Sequence, residues 1–391
     1  MASTAAAGPA ETLPSWTYNN AEFFALEKEH LFLATWQLVC HENEVPNAGD
    51  YVTLEVHGER ALVMRGEDGR LRAFYNVCRH RAAAVAPGHA GHCNGMIRCP
   101  YHGWTYALDG RLKAIPGEAG FPGLDKSEFG LKAIELESFL GFVFVRFRQG
   151  GVSVAERFAP YAEELEHYRL PEMVEFDEIW VGDTGVDWKN VVDNYLEGYH
   201  VPVGHPGLYR LYGNSYEVEV KPGYVSRAMA QIRDKPSSNW SERHYQKLLP
   251  NLAHLPAERQ RAWTYYTLLP NISFEIYPDR MDFFQVLPTA PGKSRIRARS
   301  YRLPNPDRQL RAAQFLNRRI NIQVYKEDAD LIRSVQGGLG SESYIAGVLS
   351  EKEICVRQFH DMIRDAIPVA QLPTAPAPGT TAAVNASLAQ G

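Results

Sequence analysis

The chain reads Cys78-Arg79-His80 and then, eighteen residues later, Cys99-Pro100-Tyr101-His102. Each cluster brings one thiol and one imidazole, so four metal donors come in two matched pairs. Zinc takes a Cys2His2 set tetrahedrally. A two-iron, two-sulfide cluster also takes it, with both thiolates on one iron and both imidazoles on the other. The order of donors separates the two. A zinc finger draws its cysteines from one segment and its histidines from a later one. Here each segment supplies one of each, so two loops ending β-hairpins can bring thiolate to thiolate and imidazole to imidazole. Gly103 then lets the backbone turn tightly, and Trp104 can shield the group. A structural zinc site is the competing reading. His89, His92 and Cys93 lie between the pairs and read as surface loop residues.

A second constellation lies downstream, at His200-Val201-Pro202-Val203-Gly204-His205. Histidines five apart do not share a helix face. Pro202 resolves this by ending a helix just after His200, so that His205 falls on the following turn and swings back. Two neutral imidazoles and one carboxylate make the facial triad of non-haem Fe(II) oxygenases, which leaves positions open. The carboxylate must come from elsewhere, and Lys326-Glu327-Asp328-Ala329-Asp330 on a later helix offers three. Asp328 is the first choice, with Asp330 and Glu327 behind it. Alone, this acidic run reads as a solvated helix face.

These motifs carry a family resemblance. Asn76-x-Cys78-x-His80-Arg81 and Cys99-Pro100-Tyr101-His102-Gly103-Trp104 resemble the Rieske motif of ring-hydroxylating oxygenases. Residues from about 15 to 368 resemble the α subunits of Rieske non-haem iron oxygenases. Asp193-Asn194-Tyr195-Leu196 with Gly198-Tyr199-His200-Val201-Pro202, and Glu327-Asp328 with Val335-Gln336-Gly337-Gly338-Leu339, are most like the subgroup acting on choline, betaines and carnitine. The resemblance implies one [2Fe–2S] cluster held by Cys78, His80, Cys99 and His102. It implies one mononuclear Fe(II) per subunit held by His200, His205 and Asp328, the acid eight residues before Gln336. It also implies that an acid just before the first iron histidine bridges to the cluster histidine of a neighbouring subunit. Glu197 stands there, where many relatives have the shorter Asp, and Asp193 is the weaker alternative.

The implied activity is that of a terminal oxygenase component. It would use O2, and electrons passed from the cluster to the iron, to hydroxylate or oxidatively demethylate a small organic substrate. Quaternary ammonium compounds or betaines, and methoxy or aromatic compounds, are the substrate classes. Ring cis-dihydroxylation is the alternative. A Rieske electron carrier without oxygen chemistry is a more distant one, and leaves the second constellation unexplained. No GxGxxG follows a strand, so nicotinamide belongs to a separate flavin- and iron–sulfur-containing reductase. A homotrimer is expected by resemblance, with or without a β subunit.

The elements that must position these residues are legible in outline. Tyr51–Val56, Ala61–Arg65 and Leu71–Val77 are short β-like runs parted by His57-Gly58 and Asp68-Gly69 turns. With Phe139–Arg146 they make residues 45–150 an all-β Rieske domain. The catalytic domain then takes 15–44 and 151–368, with helices at Ala21–Leu38, Val154–Arg169, Trp188–Tyr199, Asp307–Ile332 and Glu351–Ile367. Its strands are Glu175–Val181, Trp263–Leu269, Ile272–Tyr277, Phe283–Leu287 and Ile296–Arg302, the last four in one antiparallel sheet. The fold class is therefore α+β, a β domain followed by a helix-grip-like domain. Residues 207–260 read as a mobile polar cover, and Met1–Pro14 and 369–391 as disordered tails. Trp263, Tyr265, Tyr266, Phe274, Tyr277, Phe283 and Phe284 could cage a quaternary ammonium or line an aromatic slot. Arg210, Tyr209 and Tyr212 could hold a carboxylate.

Composition agrees. The 391 residues carry a net charge of -5, without the basic footprint of nucleic-acid binding. The longest apolar run, Phe139–Val145, is too short to span a bilayer. Five cysteines, an odd number, fit a reducing cytoplasm rather than a disulfide framework. Elemental and sulfide analysis of the purified protein tests the two constellations together. The expected content is about three irons and two acid-labile sulfides per chain; zinc alone would return both to structural roles.

Overall fold

The computed structural model describes residues 11–177 and 180–390. The chain folds as two units, one of residues 32–156 with 170–172, the other of 1–31, 157–169 and 173–391.

The first unit is all β. Strands β1 (Gln37–His41), β2 (Asp50–Val56), β3 (Glu59–Arg65), β4 (Leu71–Tyr75), β5 (Ala90–His92), β6 (Met96–Arg98), β7 (Thr105–Ala107), β8 (Leu112–Ala114), β9 (Glu135–Phe139) and β10 (Phe142–Arg146) form three sheets. Their orders are β4-β3-β2-β5, β6-β7-β8 and β1-β10-β9. The expected single strand Phe139–Arg146 is a hairpin, because Leu140 and Gly141 both take positive φ and turn the chain. The expected boundary at residue 45 also moves. β1 pairs along β10, so residues 32–44 belong with the β unit rather than the catalytic one.

The second unit is built on an eight-stranded antiparallel sheet. Its strands are β11 (Val174–Glu175), β12 (Trp180–Asp183), β13 (Glu217–Lys221), β14 (Val225–Gln231), β15 (Ala262–Leu268), β16 (Ile272–Ile276), β17 (Met281–Ala290) and β18 (Lys293–Arg302). The order is β11-β18-β17-β16-β15-β14-β13, with β12 also on β18. The expected strand Glu175–Val181 is thus two short ones, and residues 178–179 lie outside the described residues. Register fixes the two faces, since side chains alternate along a strand. Tyr265 pairs with Glu275 and Glu275 with Asp282, so these share one face with Trp263, Tyr277 and Phe284. Tyr266, Phe274 and Phe283 point the other way. There Phe158 and Tyr161 meet Tyr266 with ring centroids 6.5 and 5.4 Å away. The expected seven-ring cage is therefore halved by the pleat.

The helix Arg308–Gly338 is capped by the Asp307 carboxylate, which accepts from Leu310 N at 2.7 Å. It buries Ala313, Leu316, Asn317 and Ile320 along one stripe. Steps of four from Ile320 reach Val324, Asp328 and Ile332, which puts Asp328 on the inward line. A shorter helix, Trp188–Tyr195, is capped by Asp187, which accepts from Lys189 N at 3.0 Å. Two bonds tie the helices: Asn190 Nδ2 donates to Ile332 O at 2.8 Å, and Asp187 N to Gln336 Oε1 at 2.7 Å.

Three expectations of looseness are corrected. The 207–260 segment is ordered as the helix Pro206–Tyr212, β13 and β14, and the helix Trp240–Leu248. Its polar residues are caps: Asn239 accepts from Ser241 N at 2.9 Å, and Ser237 bonds Glu242. The C-terminal tail carries a helix, Thr381–Leu388. Glu22 accepts from the backbone of Gly379 at 2.6 Å and Thr381 at 3.1 Å, supplying from far away the cap that the local sequence lacks. Of the N-terminal tail, residues 1–10 lie outside the described residues, while Leu13 is buried and Thr12 N donates to Gly347 O.

A charge sits wholly inside this unit. Lys189 Nζ lies 2.5 Å from Glu27 Oε1 and 2.8 Å from Asp187 Oδ1, over the rings of Tyr18, Phe23 and Trp188. Burial pushes Glu27 up to about 7 against the pull of the ammonium. Removing one partner of a buried pair strands the other. Lys189→Ala is expected to cost about 3–5 kcal/mol, read as an earlier urea midpoint. The triple change Lys189→Met, Glu27→Gln, Asp187→Asn removes every charge and is expected to cost much less.

Candidate metal centres

In the β unit the two donor pairs sit on loops of the same design. Ala82 N donates to Cys78 O at 3.0 Å, and Gly103 N to Cys99 O at 3.1 Å. The residue closing each loop is left-handed, with φ 58° at Ala82 and 74° at Gly103. Each loop thereby wraps its own cysteine. Cys78 and Cys99 are 3% and 2% exposed, while His80 and His102 are half-buried with ring centroids 4.6 Å apart. Trp104 stacks on His80 at 5.0 Å and an angle of 6°, the shielding role expected of it. Thiols are thus inside and imidazoles outside.

The donors divide by type: the His80 and His102 rings lie together beside two buried thiols, and His80 Nδ1 is buried without a hydrogen-bond partner, as a ligating nitrogen would be. One iron for the thiolates and one for the imidazoles suits that division. The residues fit the cluster. His92, expected on the surface, is there and bonds Asp50 at 2.8 Å.

Sequence reasoning missed Tyr106. Its hydroxyl lies 3.3 Å from Cys78 Sγ and accepts from Arg79 N at 3.1 Å. Burial, then the Cys78 contact, hold the phenol above its ordinary pKa, so it keeps its proton to donate. Only its place four residues after His102 hinted at this.

In the second unit the expected trio does meet. His200, His205 and Asp328 present donor atoms all within 4.8 Å of one another, the one such group of three among the described residues. Asp328 Oδ1 is 2.9 Å from His205 Nε2 and 3.7 Å from His200 Nε2. The path to it differs from expectation. The helix ends at Tyr195 rather than 199, and Pro202 opens a new turn, Val201–Gly204, instead of ending the old one. The link between is tight at Gly198, where a Cβ would stand 2.2 Å from the Tyr216 ring.

The outer nitrogens are also held. Glu197 bonds His200 Nδ1 with one oxygen and the backbone N–H groups of Tyr199 and His200 with the other. Glu327 Oε2 lies 2.8 Å from His205 Nδ1. Each carboxylate fixes its ring so that Nε2 faces Asp328. Glu327 is therefore a partner of a histidine and not the third member of the trio, and Asp330 is turned away onto Arg333. Asp193, the weaker bridging candidate, accepts instead from the Tyr18 hydroxyl at 2.7 Å and faces His360 Nε2 at 2.7 Å. Burial lowers the His205 pKa, but the bonds and charges of Asp328 and Glu327 outweigh it and raise it.

The suggested carboxylate clasp does not form. Arg210 is engaged by Glu242, from Nε at 2.9 Å and Nη2 at 2.6 Å. Tyr212 hydrogen-bonds Tyr265 at 3.0 Å.

Two family models match the two halves: the Rieske [2Fe–2S] domain over residues 35–133, and the ring-hydroxylating α-subunit catalytic domain over 171–368. The chain belongs to the ring-hydroxylating α-subunit family. It is a Rieske oxygenase, with one Rieske cluster and one mononuclear iron as its cofactors. The carnitine monooxygenase oxygenase subunit of Acinetobacter pittii is 30% identical over 339 residues, 85% of this chain and 86% of that one. Choline monooxygenase of Arabidopsis thaliana is 28% identical over 366 residues, 90% and 82% of the two chains. Among solved structures, a quaternary ammonium Rieske monooxygenase described for carnitine oxidation by gut microbiota and inter-subunit electron transfer superposes with a TM-score of 0.78. That match is 25% identical and covers 91% of this oxygenase and 95% of the other chain. Among the described residues no helix is long and apolar enough to cross a membrane.

If Cys78 ligates the cluster, Tyr106→Phe removes a hydrogen bond from a ligating sulfur. Such bonds raise the potential, so protein-film voltammetry is expected to find the midpoint shifted negative. An unchanged midpoint would show that the hydroxyl does not bond the sulfur.

Proposed function

We propose that this chain is the terminal component of a multicomponent system that oxidises a quaternary ammonium compound, by hydroxylation or oxidative demethylation. In this reading it uses O2 and electrons from a separate NAD(P)H-dependent reductase. The observation that carries the reading is the set of rings turned toward the helices that bear the trio. Tyr265 and Phe284 share the face opposite Tyr195, which stacks on Phe284 at 5.3 Å, with Trp263 and Tyr277 buried behind them in the core. Aromatic faces attract a quaternary nitrogen that can donate no hydrogen bond. The similarity to carnitine and choline monooxygenases supports the same class.

Residue roles follow from position. Cys78, His80, Cys99 and His102 hold the cluster, and His200, His205 and Asp328 hold the iron. When bound, the two centres supply electron transfer and oxygen activation. Glu327 fixes the His205 ring. Glu197 fixes His200 and, in a homotrimer, links it to the cluster histidine of the next subunit. Its carboxylate is 11% exposed, which leaves an edge for that contact. Glu is longer than Asp, but both of its oxygens are drawn back onto its own loop.

A screen of betaines, methoxy-aromatics and aromatic acids for coupled oxygen consumption tests the substrate class. Turnover of a trimethylammonium compound is the expected result; cis-diol formation from an aromatic acid would replace this reading with ring dihydroxylation. His200→Ala and Asp328→Ala are expected to keep the visible spectrum of the cluster and abolish product. An active Asp328→Ala enzyme would remove that residue from the site. Glu197→Ala is expected to retain both metals while oxidation of the reduced cluster in a single turnover becomes about ten- to a hundredfold slower, the range that loss of an outer partner of a metal ligand costs.

A further inference from the structure

Glu275 is 3% exposed in the middle of the sheet, on the face that carries the aromatic rings. Its Oε2 accepts from Tyr277 at 2.8 Å and from Tyr325 at 2.9 Å. Tyr325 stands one turn before Asp328 on the long helix, so one element serves both the acid and the trio. The neighbouring carboxylate, Asp282, has its own cation: Arg280 bonds it through Nε at 3.1 Å and through Nη2. The bonds to Glu275 come from neutral phenols, which stabilise its charge without cancelling it.

The rings around it differ in burial. Tyr277 is 1% exposed, while Tyr195 and Tyr265 are half-buried and Tyr325 is 38% exposed, so the accessible aromatic surface near the acid is on the Tyr195, Tyr265 and Tyr325 side. The Tyr195 hydroxyl is buried there with no hydrogen-bond partner. Its ring stands edge-on to Tyr265 at 6.2 Å. Burial and the charges of Glu275 and Asp328 raise the Tyr265 phenol, against the opposing bond from Tyr212, so this ring feels both carboxylates. A buried acid is costly unless something offsets it. A cationic ligand between these rings would do so.

We propose that Glu275 is the specificity-determining charge of the substrate subsite, the anionic pole that selects a quaternary ammonium group over a neutral group of equal shape. This rests on the reading that the substrate carries such a group. Shape and ring faces admit the trimethyl head; Glu275, behind Tyr277 and Tyr325, supplies the long-range attraction that a neutral isostere does not feel. The charged groups facing it are Asp282 and Arg280 from the adjoining strand and its turn; Tyr265, Tyr277, Tyr325 and Tyr195 are the titratable ones. Burial, then the charge of Asp282, push Glu275 up to about 7, so binding of a cation should strengthen as pH rises through neutrality and the carboxyl ionises.

The test is calorimetric binding to the anaerobic holoenzyme, with choline and its neutral isostere in which carbon replaces the quaternary nitrogen. The wild type is expected to prefer choline by about tenfold or more, the order of a desolvated cation–π and charge interaction. Glu275→Gln is expected to cut the preference severalfold, to what the ring faces alone give, and to remove the pH dependence, with the isostere bound as before. Glu275→Asp is expected to restore part of the preference, which a mere loss of folding or packing would not do. A wild type that does not prefer choline overturns both the quaternary ammonium reading and this one. A wild-type preference that survives unchanged in Glu275→Gln overturns the role of Glu275 alone.

Discussion

Two hydrogen bonds between helices decide whether the iron site exists. Asn190 grips the Ile332 carbonyl and Gln336 grips the Asp187 amide, so Trp188–Tyr195 is fixed against Arg308–Gly338 on the far side of Asp328. His205 and Asp328 are 123 residues apart in sequence, and local propensity does nothing to bring them together. A shift of one residue in the contact of the helices would move Asp328 by about 100° round its axis and out of reach of both imidazoles. The rest of the catalytic unit either holds this register or uses it. Glu197 and Glu327 orient rings that are already in place.

The same helix is anchored from behind by charge. Lys189 answers two acids while Asp193 joins the Tyr18 hydroxyl and faces His360. These partners come from the first and last parts of the chain, which a Rieske cluster and an iron trio do not need for chemistry. Their use is mechanical. Buried polar groups must find their partners or pay the cost of desolvation, so they accept one arrangement of the terminal segments and reject others. Apolar packing alone would tolerate a small rotation of Trp188–Tyr195; a buried ammonium between two carboxylates tolerates far less.

What could be read in advance followed from local spacing. Cys78, His80, Cys99 and His102 were legible because each loop carries its own pair, and the loops close on themselves at Ala82 and Gly103. Asp328 was legible only through its distance from Gln336, and the fold gives that spacing a cause: Gln336 caps the helix that leads to the histidines. Glu275 was not legible. Its significance depends on standing opposite Tyr265 and Asp282, which is a matter of strand register. The pleat likewise removed Tyr266, Phe274 and Phe283 from the cage, since aromatic content says nothing about which face a ring is on. The C-terminal helix escaped because its cap, Glu22, is more than three hundred residues away, and alanine-rich sequence without a cap reads as tail. In each miss the deciding contact was long-range.

The two centres treat histidine in opposite ways, and their tasks explain it. In the β unit His80 keeps a buried, unpartnered Nδ1 and stacks on Trp104, and the imidazoles face outward over buried thiols. In the reading proposed above electrons enter and leave by that edge, where Trp104 stacks on one ring and the Arg81 charge reaches the other. In the catalytic unit three carboxylates, Glu197, Glu327 and Asp328, converge on two imidazoles. With both rings neutral the set carries three negative charges, more than a divalent ion cancels, and the acids at the outer nitrogens make the imidazoles stronger donors. Such a set would favour the higher charge on a metal held there. The outward imidazoles of the one unit and the acid-backed imidazoles of the other thus suit the two different roles proposed for them, an edge open to a partner and a site for a cation.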